Sequence, residues 1–441
     1  MKCNIGMVSL GCAKNQTDAE TMLAILENDG YGIVNTPETA DVIIVNTCGF
    51  IDPAKQESIN AILEMSEYKT DGCCKLLIAT GCLAERYSED IKNELPEVDA
   101  ILGTGDYDRI AEVIKSAFES DTMPVITNNI NRTPECDLPR ILLTPHYSAY
   151  LKIADGCDNN CTYCAIPKIR GKFRSRATED ILKEAKQLAN DGVKEIILIA
   201  QDTTRYGTDI GTSLAELLDK LAEIDGIEWI RVHYYYTEAI TKELNDTMAK
   251  HEKICYYIDM PIQHADNYIL RRMARRTTVE EIEEKISYMR KPLKNCYIRT
   301  SIIVGFPGET DEHFDNLYEF TKRTRFDRMG VFTYSQEEGT AAANFPNQVD
   351  EDIKQSRYDK LMSLQQEISL ELNRNKIGTN IDVIVEGYDE DNYLFYGRSR
   401  GDSIDVDGKV YFGTEEEVAP GDIITVKILD ASEYDLTGQR V

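Results

Sequence analysis

Over the first 125 positions, short unbroken apolar runs alternate with amphipathic helical stretches. Residues 3–9, 41–47 and 75–80 read as buried strands of a parallel sheet, whose two covered faces call for continuous rather than alternating hydrophobicity. The first ends at Gly11-Cys12, the second at Cys48 and the third at Gly81-Cys82. A helix is expected from Thr17-Asp18-Ala19-Glu20, which has capping-box spacing, and Pro53 opens another as a first-turn residue. Between 147 and 348, strands are expected near 149–154, 195–200, 228–233, 255–260, 297–304 and 328–333, mostly with helical stretches between them. Six such units fit an incomplete β/α barrel, smaller than the eight-unit form. Residues 349–375 read as a long polar connector helix. From 376 to 441 the pattern changes to short strands (380–386, 393–398, 409–412, 423–429) divided by Asp407-Gly408 and Pro420-Gly421 turns, which predicts a small β-barrel.

The expected architecture is therefore α/β. An open three-layer domain occupies 1–125, a linker 126–146, an incomplete barrel of about six units 147–348, a connector 349–375 and a β-barrel 376–441. The linker is inferred from Pro124, Pro134, Pro139 and Pro145. Polar and glycine-rich motifs follow the central strands, at the face where such barrels carry their chemistry.

Composition narrows the setting. Across 441 residues, 42% are hydrophobic and 29% charged. No apolar run reaches the ~18 residues of a membrane span, and the start lacks a signal-peptide pattern. Twelve cysteines in such a chain suggest metal and thiol chemistry in a reducing cytoplasm. The 49 Lys and Arg face 77 Asp and Glu, a net charge of −28. A partner that is bare nucleic acid calls for a basic footprint, so the balance points to a basic protein or a small molecule.

Cysteine spacing carries the chemistry. The run Gly156-Cys157-Asp158-Asn159-Asn160-Cys161-Thr162-Tyr163-Cys164 places three thiols in one loop. A structural zinc site wants four ligands, usually as two pairs, and no fourth Cys or His follows Cys164 within 60 residues. Three thiolates on a 4Fe–4S cluster leave one iron without a protein ligand, free to bind a small molecule. Cys12, Cys48 and Cys82 each follow the carboxyl end of an expected parallel strand, where open α/β sheets bind ligands. They read either as a second three-thiolate cluster site or as buried core cysteines. Cys3, Cys73, Cys74, Cys136, Cys255 and Cys296 lack matched spacing and read as core or surface thiols.

The CxxxCxxC loop resembles that of radical S-adenosylmethionine enzymes. The order of a three-cysteine domain, such a barrel and a TRAM-like β-barrel resembles the methylthiotransferases over nearly the whole chain. Ser9-Leu10-Gly11-Cys12-Ala13-Lys14-Asn15, Ala200-Gln201-Asp202-Thr203-Thr204, Pro261-Ile262-Gln263-His264-Ala265 and Tyr334-Ser335-Gln336-Glu337-Glu338-Gly339-Thr340 are similar to the branch that modifies an aspartate β-carbon in the twelfth small-subunit ribosomal protein. The other branch acts on isopentenyl-adenosine in transfer RNA, and a non-catalytic iron–sulfur or RNA-binding module is the reading from another class. Residues 375–441 hold six Lys or Arg against fifteen Asp or Glu, which suits a basic protein partner better than phosphates.

The resemblance implies two 4Fe–4S clusters, on Cys157, Cys161 and Cys164 and on Cys12, Cys48 and Cys82. It also implies S-adenosylmethionine as radical source and methyl donor. It places Tyr163, Gln201, Asp202, Gln263, Gly305, Pro307 and Gly308 near that cofactor, with His264 beside them. It implies an electron donor such as a flavodoxin or ferredoxin, a basic ribosomal protein as partner, and neither membrane nor nucleic acid as direct substrate. An anionic target entering a water-poor site needs a cation. The alternating Lys168, Arg170, Lys172, Arg174 and Arg176 would share one face if extended. Arg170 is the first candidate and Arg174 the second; Arg271, Arg272, Arg275 and Arg276 stand in reserve.

Overall fold

The computed structural model describes residues 3–120, 122–132, 138–293 and 295–441. Pro134 and Cys136 lie outside them. The first sheet is wholly parallel and runs β2-β1-β3-β4-β5-β6. Its strands are β1 (Asn4–Ser9), β2 (Gly32–Ile33), β3 (Val42–Thr47), β4 (Leu76–Gly81), β5 (Ala100–Leu102) and β6 (Val125–Ile126). The helices α1 (Ala13–Asn28), α2 (Asp52–Asp71), α3 (Cys82–Arg86), α4 (Ser88–Glu94) and α5 (Ile110–Glu119) accompany it. One apolar layer joins Ile44 and Ile78 to Met22 and Ile110, the other joins Val45 and Leu77 to Ile62 and Leu83. Burial on both faces explains the unbroken apolar runs. Chain order reverses between β1 and β3, which puts a crevice at their carboxyl ends.

α1 begins at Ala13, four residues before the expected start. Its cap is Cys12, which makes no side-chain capping bond. The Thr17 hydroxyl donates to the Lys14 carbonyl inside the helix instead.

The second parallel sheet runs β14-β13-β12-β11-β10-β7 and does not close. Its strands are β7 (Ser148–Lys152), β10 (Glu195–Ile199), β11 (Trp229–Val232), β12 (Ile254–Asp259), β13 (Tyr297–Val304) and β14 (Arg328–Thr333), while β8 (Ala154–Asp155) and β9 (Arg174–Ser175) pair apart. Helices α6 (Ile166–Arg170), α7 (Thr178–Asn190), α8 (Leu214–Ala222), α9 (Lys242–Lys250), α10 (Asn267–Arg272), α11 (Val279–Arg290) and α12 (Asp311–Thr324) come between. Ile196, Leu198, Ile230, Val232 and Ile258 face the helices. Alternation turns Glu195, Ile197, Arg231, Tyr257 and Arg299 inward.

The expected connector, α13 (Glu351–Arg374), does more than connect. Leu361, Leu364 and Ile368 enter the barrel core, and Gln365 donates to the Phe326 carbonyl. The last domain is a closed barrel in the order β15-β16-β17-β19-β18, built from β15 (Asn380–Asp389), β16 (Leu394–Ser399), β17 (Val410–Gly413), β18 (Ile423–Ala431) and β19 (Leu436–Arg440). β19 was not expected, because Leu436-Thr437-Gly438-Gln439-Arg440 carries a single apolar residue.

The segment between β16 and β17 fills the inside of the open sheet from its amino-terminal end. Arg398 pairs with Glu195 at 2.7 Å. Arg231 donates to the Arg400 carbonyl at 2.9 Å and lies 3.0 Å from Glu195. The Tyr257 hydroxyl donates to Asp407 at 2.6 Å, and Ser403 meets His233 at 2.8 Å. Ile404 packs on Tyr150, Ile197 and Ile199. No described helix is long and apolar enough to cross a membrane.

Candidate functional site

The first trio sits in the crevice of the amino-terminal sheet. Gly11 has φ of +89°, and a Cβ there would come within 2.9 Å of the Cys48 Cβ, so only glycine lets these loops meet. Asn15 fastens them: its amide donates to the Leu10 carbonyl at 3.1 Å and the Thr47 carbonyl at 2.7 Å. The Asn15 Oδ1 is 3.5 Å from the Cys82 sulfur. Ser58 fixes the Cys48 backbone through bonds to its N–H and carbonyl. Cys12 is exposed, Cys48 half-buried and Cys82 buried. Desolvation raises the Cys82 thiol to about 12 and also raises Cys48. Desolvation would raise Cys12 as well, but the Lys14 ammonium and the Arg170 guanidinium bring it below its ordinary value.

The second trio lies in the loop after β8. Gly156 has φ of +75° and passes so close to Lys172 that a Cβ would fall 2.1 Å from its carbonyl oxygen. The loop is held by Cys157 N–H to the Gly171 carbonyl, Cys164 N–H to the Cys161 carbonyl and Thr162 N–H to the Met273 carbonyl. Asn159 donates to Asp202 at 2.9 Å, which ties the loop to the end of β10. The Cys161 sulfur lies 3.8 Å from the Tyr236 hydroxyl. Burial pushes the Cys157 thiol to about 11 and the Cys164 thiol to about 12. It also raises the Asp202 carboxyl, against hydrogen bonds from Thr204 and Asn159. Among the described residues no three His, Cys, Asp or Glu converge on a single ion. Ligands of a four-iron cluster each bind a different iron and need not converge.

The other expected residues surround this loop. Both polar atoms of the Gln201 side chain are buried without a partner. Tyr163 packs against Ile269, Met273, Phe306, Tyr334 and Ala342. Gln263 takes φ of +70°, and its N–H and carbonyl bond to Ser301 and Ile303 of β13. Both ring nitrogens of His264 lack hydrogen bonds, although Nε2 is 3.4 Å from Glu309. Gly305 and Gly308 take φ of +74° and +84°, and a Cβ on them would meet Lys354 and Arg272, respectively. The Pro307 carbonyl accepts from Arg272 at 3.0 Å.

The run 168–176 is extended only at Arg174–Ser175. Pro167 opens α6 and Gly171, at φ of +71°, ends it, so the basic side chains diverge. Lys168 donates to the Gly339 carbonyl at 2.6 Å, and Arg174 to the Lys172 carbonyl at 2.6 Å. Arg170, only 2% exposed, is no free guanidinium. It donates to Asp18 at 2.9 Å and Asn15 at 2.6 Å, lies 3.3 Å from Asp155, and stands 3.8 Å from the Cys82 sulfur. Its partners come from both trios' supports, since Asp18 and Asn15 belong to α1 and Asp155 precedes Gly156-Cys157. Cys82 also packs on Ala165 and Ile169, immediately after Cys164. The two cysteine sites are therefore neighbours.

Four participants escaped the sequence reading: Asn15, Asn159, Tyr236 and Lys14. Tyr236 ends a visible run of three tyrosines after β11. Lys14 holds its ammonium 3.5 Å from the centre of the Tyr234 ring. Asn15 and Asn159 stand inside the cysteine motifs, but nothing local marks their bonding roles.

Residues 4–103 match the family described as Uncharacterized protein family UPF0004, residues 151–321 the Radical SAM superfamily, and residues 377–441 the TRAM domain. The chain is 52% identical over 436 residues to ribosomal protein uS12 methylthiotransferase RimO of Clostridioides difficile (strain 630), covering 98% of each chain. It is 48% identical over 438 residues to the protein of that name from Thermoanaerobacter sp. (strain X514), covering 99% of each. Among solved structures, the radical S-adenosylmethionine methyltransferase TsrM from Kitasatospora setae superposes with a TM-score of 0.56 at 12% identity, over 75% of this chain and 73% of that one; this likeness concerns the fold. The near-full-length identity to the curated relatives decides the matter: the chain belongs to the ribosomal protein uS12 methylthiotransferase (RimO) family of radical S-adenosylmethionine enzymes.

Proposed function

We propose that this chain inserts a methylthio group at the β-carbon of an aspartate in ribosomal protein uS12. Cys157, Cys161 and Cys164 would hold the cluster that binds S-adenosylmethionine, and Cys12, Cys48 and Cys82 an auxiliary cluster carrying sulfur. The observation that carries the reading is the packing of Cys82 on Ala165 and Ile169, beside Cys164, with Arg170 bonded to the supports of both loops. Sulfur held at one site then lies next to a carbon activated at the other. When bound, the clusters and S-adenosylmethionine supply one-electron cleavage of an unactivated C–H bond, sulfur and a methyl group.

The chain's own residues fit such groups. Three thiols in one loop leave an iron position open, and the raised Cys157 and Cys164 thiols lose their protons when iron binds. The unpartnered Gln201 amide lies at the end of β10, where an amino or carboxylate group would satisfy it. Asp202 keeps the cysteine loop in place through Asn159, and Tyr163 closes its apolar side. Gln263, Gly305, Pro307 and Gly308 form the opposite rim. The acidic last domain suits a basic ribosomal protein, a flavodoxin or ferredoxin would deliver electrons, and a reducing cytoplasm would keep the thiols available.

Reconstituted protein, S-adenosylmethionine, sulfide and a reductant should convert uS12 to a methylthio form visible by mass spectrometry. Unmodified uS12 alongside methylthiolated transfer RNA would overturn the assignment.

A further inference from the structure

Lys14 is kept where an ammonium is hard to keep. Its side chain is only 7% exposed. It stands in the first turn of α1, immediately after Cys12 and Ala13, at the end of a helix where the macrodipole is positive and cations are disfavoured. Burial and Arg170, a second buried cation, disfavour its charge, while Tyr234 and the Cys12 thiol favour it and hold the ammonium above its ordinary value. Asp18 and Asp155 each pair with both Lys152 and Arg170, and Asp405, which lines a pocket with Cys12, forms no ion pair with Lys14 among the described residues. Among the described residues Lys14 makes no ion pair. Its partner is the face of Tyr234, which offsets part of the desolvation of a buried cation.

Its position is as informative as its isolation. Tyr234 follows the carboxyl end of β11, so the ammonium lies between Cys12 and the mouth of the barrel. Arg299, on the inner face of β13, is occupied by Asp259 and Asp407. Arg275, which also lacks an acid, stacks on Tyr236 beside Cys161, at the other trio. The open edge leaves a way in, since Phe332 on the inner face of β14 is 50% exposed.

We infer that Lys14 receives the carboxylate of the aspartate to be modified and so sets the preference for an anionic side chain, a role that rests on the function proposed above. A carboxylate arriving beside Cys12 would give Lys14 the acid it lacks among the described residues, and a charge-assisted bond in a water-poor site is a strong discriminator against a neutral isostere.

The test compares iron-loaded wild type with Lys14→Met and Lys14→Arg, using uS12 carrying the target aspartate or asparagine there. Wild type should prefer the aspartate form by roughly tenfold or more in kcat/KM, as expected for a buried charge-assisted bond. Lys14→Met should abolish that preference mainly through KM, keep full iron, and melt within a few degrees of wild type. Lys14→Arg should retain part of the preference. An undiminished preference in Lys14→Met would overturn the inference. So would loss of iron with a lower melting temperature, which would assign Lys14 to the Cys12 site instead. Failure of wild type to modify uS12 would overturn the proposed function itself, and the carboxylate role with it.

Discussion

The guanidinium of Arg170 lies 3.8 Å from the sulfur of Cys82, although the two residues are 88 positions apart and belong to different domains. The same guanidinium reaches Asp18 and Asp155, so it joins the three-cysteine domain to the barrel, as Lys55 and Arg86 do through Glu337. Arg170→Gln would leave buried Asp18 and half-buried Asp155 with Lys152 alone, so the loss should fall below the roughly 3–5 kcal/mol of a buried pair broken outright. The expected result is a lower melting temperature and loss of iron from the Cys12, Cys48 and Cys82 site, with the Cys157 site retained. Unchanged melting and iron would show that the contact between the domains rests elsewhere.

Iron counting separates the two trios. Reconstituted protein should hold about eight irons if each trio binds a four-iron cluster. Replacing Cys12, Cys48 and Cys82 with Ala should halve the count and leave S-adenosylmethionine cleavage measurable. Replacing Cys157, Cys161 and Cys164 should halve it and end cleavage. Either triple variant with a full complement of iron would remove that trio from the assignment.

Gln201 offers a test in which stability and binding move apart. Its amide is buried without partners, a state that costs about 1–3 kcal/mol for such a group. Gln201→Leu should therefore melt at or above the wild-type temperature in the absence of S-adenosylmethionine, yet bind it roughly tenfold more weakly if the amide serves the cofactor. Calorimetric titration of the cluster-loaded protein reads the second effect.

Acid should loosen the junction between the barrel and the last domain in two stages. Burial holds His233 neutral, with its pKa pushed down to about 3. The unfolded residue takes a proton near pH 6.5, so the stability tied to neutral His233 is complete above that value and falls as pH drops toward 3. Burial alone would raise Glu195, but Arg398 and Arg231 hold it at about 2. Its contribution is present above the unfolded value of about 4.3 and disappears as pH falls through 2. Hydrogen exchange in β16 and β17 should rise first below about pH 6 and again below about pH 4; His233→Asn should remove the first stage.

The role of the acidic domain is best tested on its surface. Removing residues 376–441 would strip Arg398 from Glu195 and Asp402 from Arg328, so the truncated barrel should lose stability along with any affinity. Exposed Glu390, Asp391 and Glu415 lie away from that junction. Changing all three to Lys should raise the KM for uS12 and flatten its salt dependence while the melting temperature stays within a few degrees. An unaltered KM would assign the charge another purpose.

The strands, and the placement of Cys12, Cys48 and Cys82 at their ends, were legible because each signal is local: an apolar run, then Gly-Cys or Cys. The same local reading failed for 168–176, where alternating charge suggested a strand but Pro167 and Gly171 bound a short helix. Composition could not show that Arg140, in the linker, is anchored by Glu20 and Glu184 from two different helices. Lys14 was invisible as an isolated cation because the ring that covers it lies 220 positions later. The stretch Ser399-Arg400-Gly401-Asp402-Ser403 has the composition of a surface turn, yet Ser399, Asp402 and Ser403 are buried. They find their partners on strands laid down some 70 to 200 residues earlier.

That last insertion sets an order on the life of each new molecule. A ribosome makes the barrel strands well before the segment that fills them, and domains generally fold as they emerge. Until residues 398–407 have been synthesised, Glu195 and Arg231 have each other but lack Arg398 and the Arg400 carbonyl, and Tyr257 and Arg328 lack Asp407 and Asp402. The central domain thus reaches its mature form only after part of the last domain has been made.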